Sequence, residues 1–482
     1  MPSGFPIHLV EEHSSVLPIW WQRHGGPATV VYLDAHLDLQ QTAPETLRAL
    51  AQCRTPEQVG ALESPHHLNP SPRYAYGIEN FLHPASKLGL IDRLVWVAPP
   101  HIPRSYSPSL LSYVEQMDGV SFEELTGFRS IGRDGMRGRL LGLDISICHF
   151  DDLANLDIRG PYALDIDVDY FVVVPGDRPW VDPRSVIQAV IEQIGTPDLA
   201  TVSRAVGSGF TPLQFRYLGD YAVAVLSEDD AATEHYGLLH RAVSLLAAGR
   251  AGEAGSLCRQ AIAARPSCAA SRYMLSLASR DSRASRSLRV QAAELDPKYA
   301  FDLSREASGV LHRRRRIGVA ELRAMVARLD SLASGSLERA LAELAVGQLC
   351  AELGMVEQAL RLLDKQRGEF ADHGDLALLA ARRVLQGRDP NRAFPLLERA
   401  RQFKKTRTSA TLYLGDLALR AGNLRGALKH YEEVEQLAPA WSLPLERLRK
   451  CHDALGNSNR ASAISALVAE RKRVIAGLPG MG

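Results

Sequence analysis

Thr29-Val30-Val31-Tyr32-Leu33-Asp34-Ala35-His36-Leu37-Asp38 decides how this chain is read. The first half is short, apolar and rich in β-branched residues, the pattern of a buried strand in a parallel sheet. The second half sets two carboxylates and an imidazole at alternate positions. Side chains two apart on an extended chain point the same way. Asp34, His36 and Asp38 can therefore converge at the strand's C-terminal end, where open α/β sheets place their ligands. Two acids and a histidine gathered in a folded interior need a cation to join them. Taken alone, the same residues are equally compatible with an exposed polar turn.

A second stretch weighs against the turn. Tyr162-Ala163-Leu164-Asp165-Ile166-Asp167-Val168-Asp169-Tyr170-Phe171-Val172-Val173-Val174 carries acids at alternate positions of another β-rich segment. Alternation predicts Asp165, Asp167 and Asp169 on one strand face. An edge strand with a wet face would tolerate them, but the flanking Val and Phe run argues for burial on both sides. Buried like charges need a counter-charge. A third element, Leu9-Val10-Glu11-Glu12-His13-Ser14-Ser15-Val16-Leu17, puts a histidine where a short strand gives way to a helix. On its own, His13 reads more readily as a capping or surface residue.

Together the three segments resemble the arginase and deacetylase superfamily of metallohydrolases. His13-Ser14, Asp34-Ala35-His36-Leu37-Asp38 and Asp165-Ile166-Asp167 follow the arginase pattern in order. A closer resemblance is to an arginase-like family whose characterised bacterial members are peptide arginases, converting arginine residues of ribosomally made peptides to ornithine. Val10-Glu11-Glu12-His13, Gly77-Ile78-Glu79-Asn80-Phe81, Leu94-Val95-Trp96-Val97-Ala98-Pro99-Pro100 and Leu164 to Phe171 carry it, over roughly the first 225 residues. The fold it implies is a three-layer α/β domain with a mainly parallel sheet.

The resemblance also implies a binuclear metal site. His13, Asp34, Asp38 and Asp165 would hold one ion, and His36, Asp34, Asp165 and Asp167 the other, with Asp34 and Asp165 bridging. Four carboxylates and two imidazoles without a thiolate suit two Mn²⁺ ions, with Fe²⁺ as the alternative. Two ions roughly 3.5–4 Å apart can share a water and lower its pKa toward neutrality. The nucleophile would attack an sp² carbon, with Asp38 orienting it or relaying its proton. Asp169 is off the arginase spacing, because Tyr170 stands where the family has its next Asp. It reads as a residue behind the ligands, as a substrate-facing residue, or as a surface acid.

Two departures bear on the substrate. Arginases grip the guanidinium with a Glu on the last sheet strand, and Leu199 to Pro212, the corresponding segment, has no acid. A planar five-donor cation is best bound by a bidentate acid. Glu79 is the candidate for that catalytic role, against a reading as the N-terminal acid of a helix near Pro84. Gln40 replaces the Asn that holds a free amino acid's carboxylate, a change compatible with a peptide substrate. Gln40, Glu79, Asn80 and Asp169 are therefore the expected substrate-binding residues. A proton-shuttle histidine is expected among His66, His67, His83, His101 and His149.

The remaining features frame this reading. A chain of 482 residues accommodates two to four domains. A net charge of +1 gives no reason to invoke nucleic acid or an anionic membrane. The run His312-Arg313-Arg314-Arg315-Arg316 reads as a solvated helix face. No 18-residue apolar span or leader-like N-terminus is found. The six scattered cysteines read as reduced residues of a cytoplasmic protein.

Composition shifts near Leu226 to Ala232, after which Ala, Leu and Arg dominate with helical spacing. Gly249, Ala254 and Pro266 are separated by five and twelve residues, as are Gly422, Ala427 and Pro439; Gly354 and Ala359 repeat the first interval. This resembles the tetratricopeptide repeat, with a generic helical bundle as the alternative. Each helix pair leaves an apolar face uncovered, so a stacked solenoid is expected. The expected division is 1–228, an arginase-like metallohydrolase domain, and 229–482, a helical repeat domain for protein–protein contact.

The reading that follows is a metal-dependent C–N hydrolase of the amidinohydrolase kind. It would turn arginine residues of a peptide or protein, such as a ribosomally made precursor, into ornithine and urea. The competitors are a deacylase on the same fold and a non-catalytic repeat scaffold with a vestigial metal site. An arginine site needs an acid near the metals, whereas an acyl-lysine site needs an apolar tunnel.

Overall fold

The β-branched run identified above forms the strand expected of it. The structure, a computed structural model, describes residues 4–23, 28–69, 71, 73–131, 135–158, 160–173, 177–312, 315–366, 373–387 and 389–479. Arg313 and Arg314 of the basic run and Val174 lie outside them. The strands are β1 (Ile7–Val10), β2 (Ala28–Leu33), β3 (Ile91–Val97), β4 (Arg129–Ile131), β5 (Gly135–Leu140), β6 (Leu143–Cys148), β7 (Tyr162–Asp167), β8 (Val172–Val173), β9 (Arg178–Pro179) and β10 (Leu199–Ser203). Eight of them form one sheet in the order β1-β10-β7-β2-β3-β6-β5-β4. β1 with β10, β10 with β7, and β7 with β2 pair in parallel, whereas β4, β5 and β6 pair antiparallel. The sheet is thus mainly parallel, and the C-terminal part of the chain is all helical.

The chain divides into two compact units. The first comprises 1–37, 94–102 and 148–317; the second comprises 38–93, 103–147 and 318–482. These units do not follow the composition shift near residue 228.

In the first unit, β7 lies between two parallel neighbours, and all six of its residues are buried, acids included. Val31, Leu33, Leu164, Ile166 and Val202 pack with Phe171, Tyr217 and Leu218 into one apolar core. Burial of this kind contributes about 25 cal/mol per Å² of apolar surface. The strand pattern breaks at one point. β7 ends at Asp167, and residues Val168–Phe171 form a 3-10 turn, so Asp169 is not on the strand. The Asp167 carboxylate accepts the Asp169 N–H at 3.2 Å, a side-chain cap that competes with further strand pairing.

In the second unit, Leu337–Glu352 packs with Val356–Lys365, Lys404–Arg420 with Leu424–Leu437, and Ser442–Ala454 with Ser458–Ala476. The repeated glycine and alanine offsets have a physical basis. Gly354 and Gly422 follow helix ends with φ of +80° and +74°, a left-handed conformation that costs glycine little. Ala359 and Ala427, five residues on, are fully buried. A Cβ at Gly415 would lie 2.6 Å from the Tyr431 ring, so its absence lets those two helices approach.

Three histidines are buried in the neutral form. Burial pushes His83, His235 and His373 down to about 4 each. His373 donates from Nε2 to the Leu68 carbonyl and accepts the Leu376 N–H on Nδ1. A folded pKa below the unfolded value near 6.5 means the unfolded chain binds more protons between the two. Stability is therefore full above about pH 6.5 and lost as pH falls toward 4. Each histidine accounts for on the order of 3 kcal/mol at full protonation. Urea denaturation between pH 7.5 and 4.5 should show this fall, with a shallower slope for His373→Gln. Stability that stays flat over that range would contradict the buried-neutral assignment.

Candidate metal centre

β1, β10, β7 and β2 run parallel, so their C-terminal ends share one edge of the sheet. The ligand-type residues of the first unit collect there. Asp165 and Asp167 come from the end of β7, in register with Thr201 and Ser203 of β10. Asp34 follows β2, and His13 opens the short 3-10 helix that comes soon after β1.

His13 sits at the centre and is fully buried. Its Nε2 lies 2.7 Å from Asp165 Oδ2, and its Nδ1 lies 3.1 Å from Asp34 Oδ2 and 3.2 Å from Asp167 Oδ2. The ring stacks on Tyr32, centroids 5.3 Å apart and planes 8° from parallel. Thr201 Oγ1 donates to Asp165 Oδ1. Burial opposes a charge on His13, but Asp165, Asp167 and Asp34 outweigh it and raise its pKa well above the usual value. Burial, reinforced by Asp169, pushes Asp167 up to about 7. Three carboxylates thus compete for the two nitrogens of one ring.

The second histidine differs. The His36 side chain is 54% exposed, and its Nδ1 lies 2.7 Å from Asp169 Oδ2 and 3.8 Å from Asp34 Oδ1. Asp34, His36 and Asp169 bring ligand atoms within 4.8 Å of one another. Asp169 also accepts the Ala35 N–H at 3.2 Å, and Asp34 the His36 N–H at 2.6 Å. Burial opposes the Asp169 charge, but His36 and these bonds hold its carboxyl below the usual range. Asp169 therefore fixes the His36 ring from behind, as carboxylates do for imidazoles that bind metals.

The donor set suits a divalent cation. His13, Asp34 and Asp165 are buried imidazole and carboxylate donors of the first unit that could hold a metal ion, whereas Asp38, also buried, belongs to the second unit. Ser203 Oγ, in register with Asp167, is buried and makes no hydrogen bond among the described residues. An oxygen-rich set with imidazole nitrogen and no thiolate is donor chemistry for a divalent metal ion.

A group of residues that sequence reading did not single out holds His13 in place. Arg216, 4% exposed, forms a two-pronged pair with Glu11 and reaches Asp296 at 3.3 Å. Arg204 bonds Glu11 at 2.8 Å and Asp220 at 2.6 Å. Glu12 accepts the Ser208 N–H and Oγ–H. Both acids preceding His13 are thereby anchored to the segment after β10. The two acids stand in the quoted motif, but their partners lie far along the chain, where spacing gives no signal. In that segment Phe210 meets the His36 ring edge-on at 5.7 Å and stacks on His312 at 4.0 Å.

The other expected site residues lie in the second unit, apart from two histidines. Gln40 N–H bonds the Glu79 carbonyl at 3.2 Å, and Asn80 Oδ1 accepts the Gly77 N–H at 3.0 Å. Gln40, Glu79 and Asn80 share one cavity wall. The Glu79 carboxylate is 2.5 Å from Lys405 Nζ. Burial raises its pKa despite that cation. His66 and His67 stack on each other at 4.5 Å, and His83 bonds Thr42 at 2.7 Å. In the first unit, His149 pairs with Asp151 at 3.1 Å, and burial holds His101 below its usual pKa, against the opposing pull of Asp169.

Because Asp165 touches both His13 and Thr201, it is the position to test. At free Mn²⁺ about 100 times its Kd, wild-type protein should gain about 2.7 kcal/mol in unfolding free energy. Asp165→Asn should abolish that gain. An equal Mn²⁺ response in both proteins, read by thermal or urea melts, would contradict the assignment.

Neither a scan against protein-family models nor a search of the curated proteins finds a match to this chain.

Proposed function

We propose that the chain is a metal-dependent C–N hydrolase that converts arginine residues of a peptide or protein to ornithine with release of urea. One observation carries the reading: His13, Asp34, Asp165 and Asp167 meet in a buried cluster at the C-terminal ends of parallel strands. That is where open α/β sheets place catalytic groups. In this reading His13, Asp34, His36, Asp38, Asp165 and Asp167 hold two Mn²⁺ or Fe²⁺ ions. The bound ions supply Lewis acidity and lower the pKa of water.

The chain's own groups divide the remaining work. Asp169 keeps the His36 ring in orientation through its 2.7 Å contact. Asp38 takes the role of general base. Water adds to the guanidinium carbon, the bond from that carbon to the side-chain nitrogen breaks, and a proton passes to the departing amine. The amine remains on the peptide as ornithine, and the carbon leaves as urea. Thr201, on β10 where arginases carry a guanidinium-binding Glu, is engaged with Asp165 instead. Recognition of the peptide then falls to Gln40, Glu79 and Asn80. The helices after residue 229 resemble tetratricopeptide repeats and would recruit the substrate or a partner.

Mass spectrometry tests the reaction. Arginine-containing peptides incubated with full-length protein and Mn²⁺ should lose about 42 Da per modified arginine, with urea released in equal amount. His13→Ala should abolish both changes. Turnover only of acyl-lysine peptides, with no urea, would replace this reading with a deacylase.

A further inference from the structure

Lys405 is a partly exposed cation held by two acids. Its Nζ lies 2.5 Å from Glu79 Oε1 and 3.0 Å from Asp375 Oδ2, all within the second unit. Burial opposes its charge, but Asp375 and Glu79 outweigh that and raise its pKa. The three side chains keep 37%, 28% and 23% of their surface respectively, so water and solutes reach them.

Glu79 and Lys405 line two cavities that share part of their walls, and Asp375 lines the smaller of the two. One, of about 220 Å³, includes Asn69, Tyr74, His373 and Asp375 in its wall. The other, of about 640 Å³, includes Gln40, Gln41, Ser112, Gln116, Asp118 and Ser409. Glu79, Asn80, Lys404 and Lys405 border both. The larger wall is dominated by amides and hydroxyls, which can donate to and accept from a peptide backbone.

The charges favour a cation. Around the two cavities, Glu79, Asp118 and Asp375 give three carboxylates against the ammonium groups of Lys404 and Lys405. Both carboxylates at Lys405 converge on a single Nζ. A guanidinium or ammonium on an incoming chain would meet the same two acids, with Lys405 swinging into solvent on its flexible stem. Lys405 is then a resident stand-in for a side chain of the ligand.

We infer that this double cavity is a peptide-binding site, in which Glu79 and Asp375 receive a basic side chain of the peptide in exchange for Lys405. The inference rests on the peptide-substrate reading above, but it concerns binding and not hydrolysis. A lysine probe separates the two, because it has no guanidine carbon to attack.

The experiment is calorimetric titration of the full-length protein at low salt with three blocked tripeptides: acetyl-Ala-Lys-Ala-amide and its Gln and Glu counterparts. The lysine peptide should bind on the order of fivefold more tightly than the glutamine peptide, and the glutamate peptide most weakly. Lys405→Met, which keeps the stem and removes the charge, should tighten lysine-peptide binding by roughly fivefold, and Asp375→Asn should weaken it by a similar factor. If either variant fails to fold, the wild-type order of the three peptides still decides. Equal binding of the lysine and glutamine peptides, or tightest binding of the glutamate peptide, would overturn the inference. Lysine-peptide affinity unchanged by Lys405→Met would overturn the exchange. Urea release in the arginine assay with no lysine-peptide binding would remove this site and leave the hydrolase reading standing.

Discussion

One imidazole among three buried carboxylates sets the terms for the first unit. His13 has no exposed surface, and Asp34, Asp165 and Asp167 all lie within 3.2 Å of its ring nitrogens. Such a group is costly in a low-dielectric interior unless positive charge balances it. A proton on His13 balances part of it, and the carboxylates raise its pKa accordingly. A divalent cation would balance more, leaving the imidazole lone pair free to act as a ligand. The cluster therefore makes physical sense as a cation site, and poor sense as a structural ion-pair network.

The surroundings are arranged to hold that cluster rigid. Parallel pairing brings the C-terminal ends of four strands together, and the Tyr32 ring stacks flat on His13. Glu11 and Glu12 are fastened by Arg204, Arg216 and Ser208. Gly209, at φ +81°, lets the same segment approach the helix Leu303–His312, where a Cβ would meet two backbone atoms at 2.9 Å. Precision of this kind is what a metal or catalytic centre requires of its supporting residues.

Much of this was legible in the sequence. Alternation in Tyr162 to Asp167 and the β-branched run before Asp34 predict buried strands, and both strands are found. Asp34, His36 and Asp38, and Asp165 and Asp167, were expected as ligands from the family resemblance, since two-residue spacing alone was equally compatible with an exposed polar turn. The glycine and alanine offsets of the second half were readable because a helix end and a close helix contact each demand a small residue. Asp169 was misplaced on a strand, since nothing in the alternation shows that the Asp167 carboxylate caps a turn. Contacts between distant segments were out of reach altogether. Glu79 meets Lys405 across 326 residues, and Glu11 meets Arg216 across 205. The compact units also interleave several chain segments, which composition along a linear sequence does not reveal.

The His13–Asp34–Asp165 cluster has the charge and burial of a cation site. X-ray diffraction from crystals grown with Mn²⁺, with anomalous data collected at the manganese absorption edge, tests it most directly. Anomalous density is expected at the C-terminal edge of β7 and β2, bordered by His13, Asp34 and Asp165. Crystals that hold Mn²⁺ only at surface carboxylates, with His13 still bonded to all three acids, would contradict it.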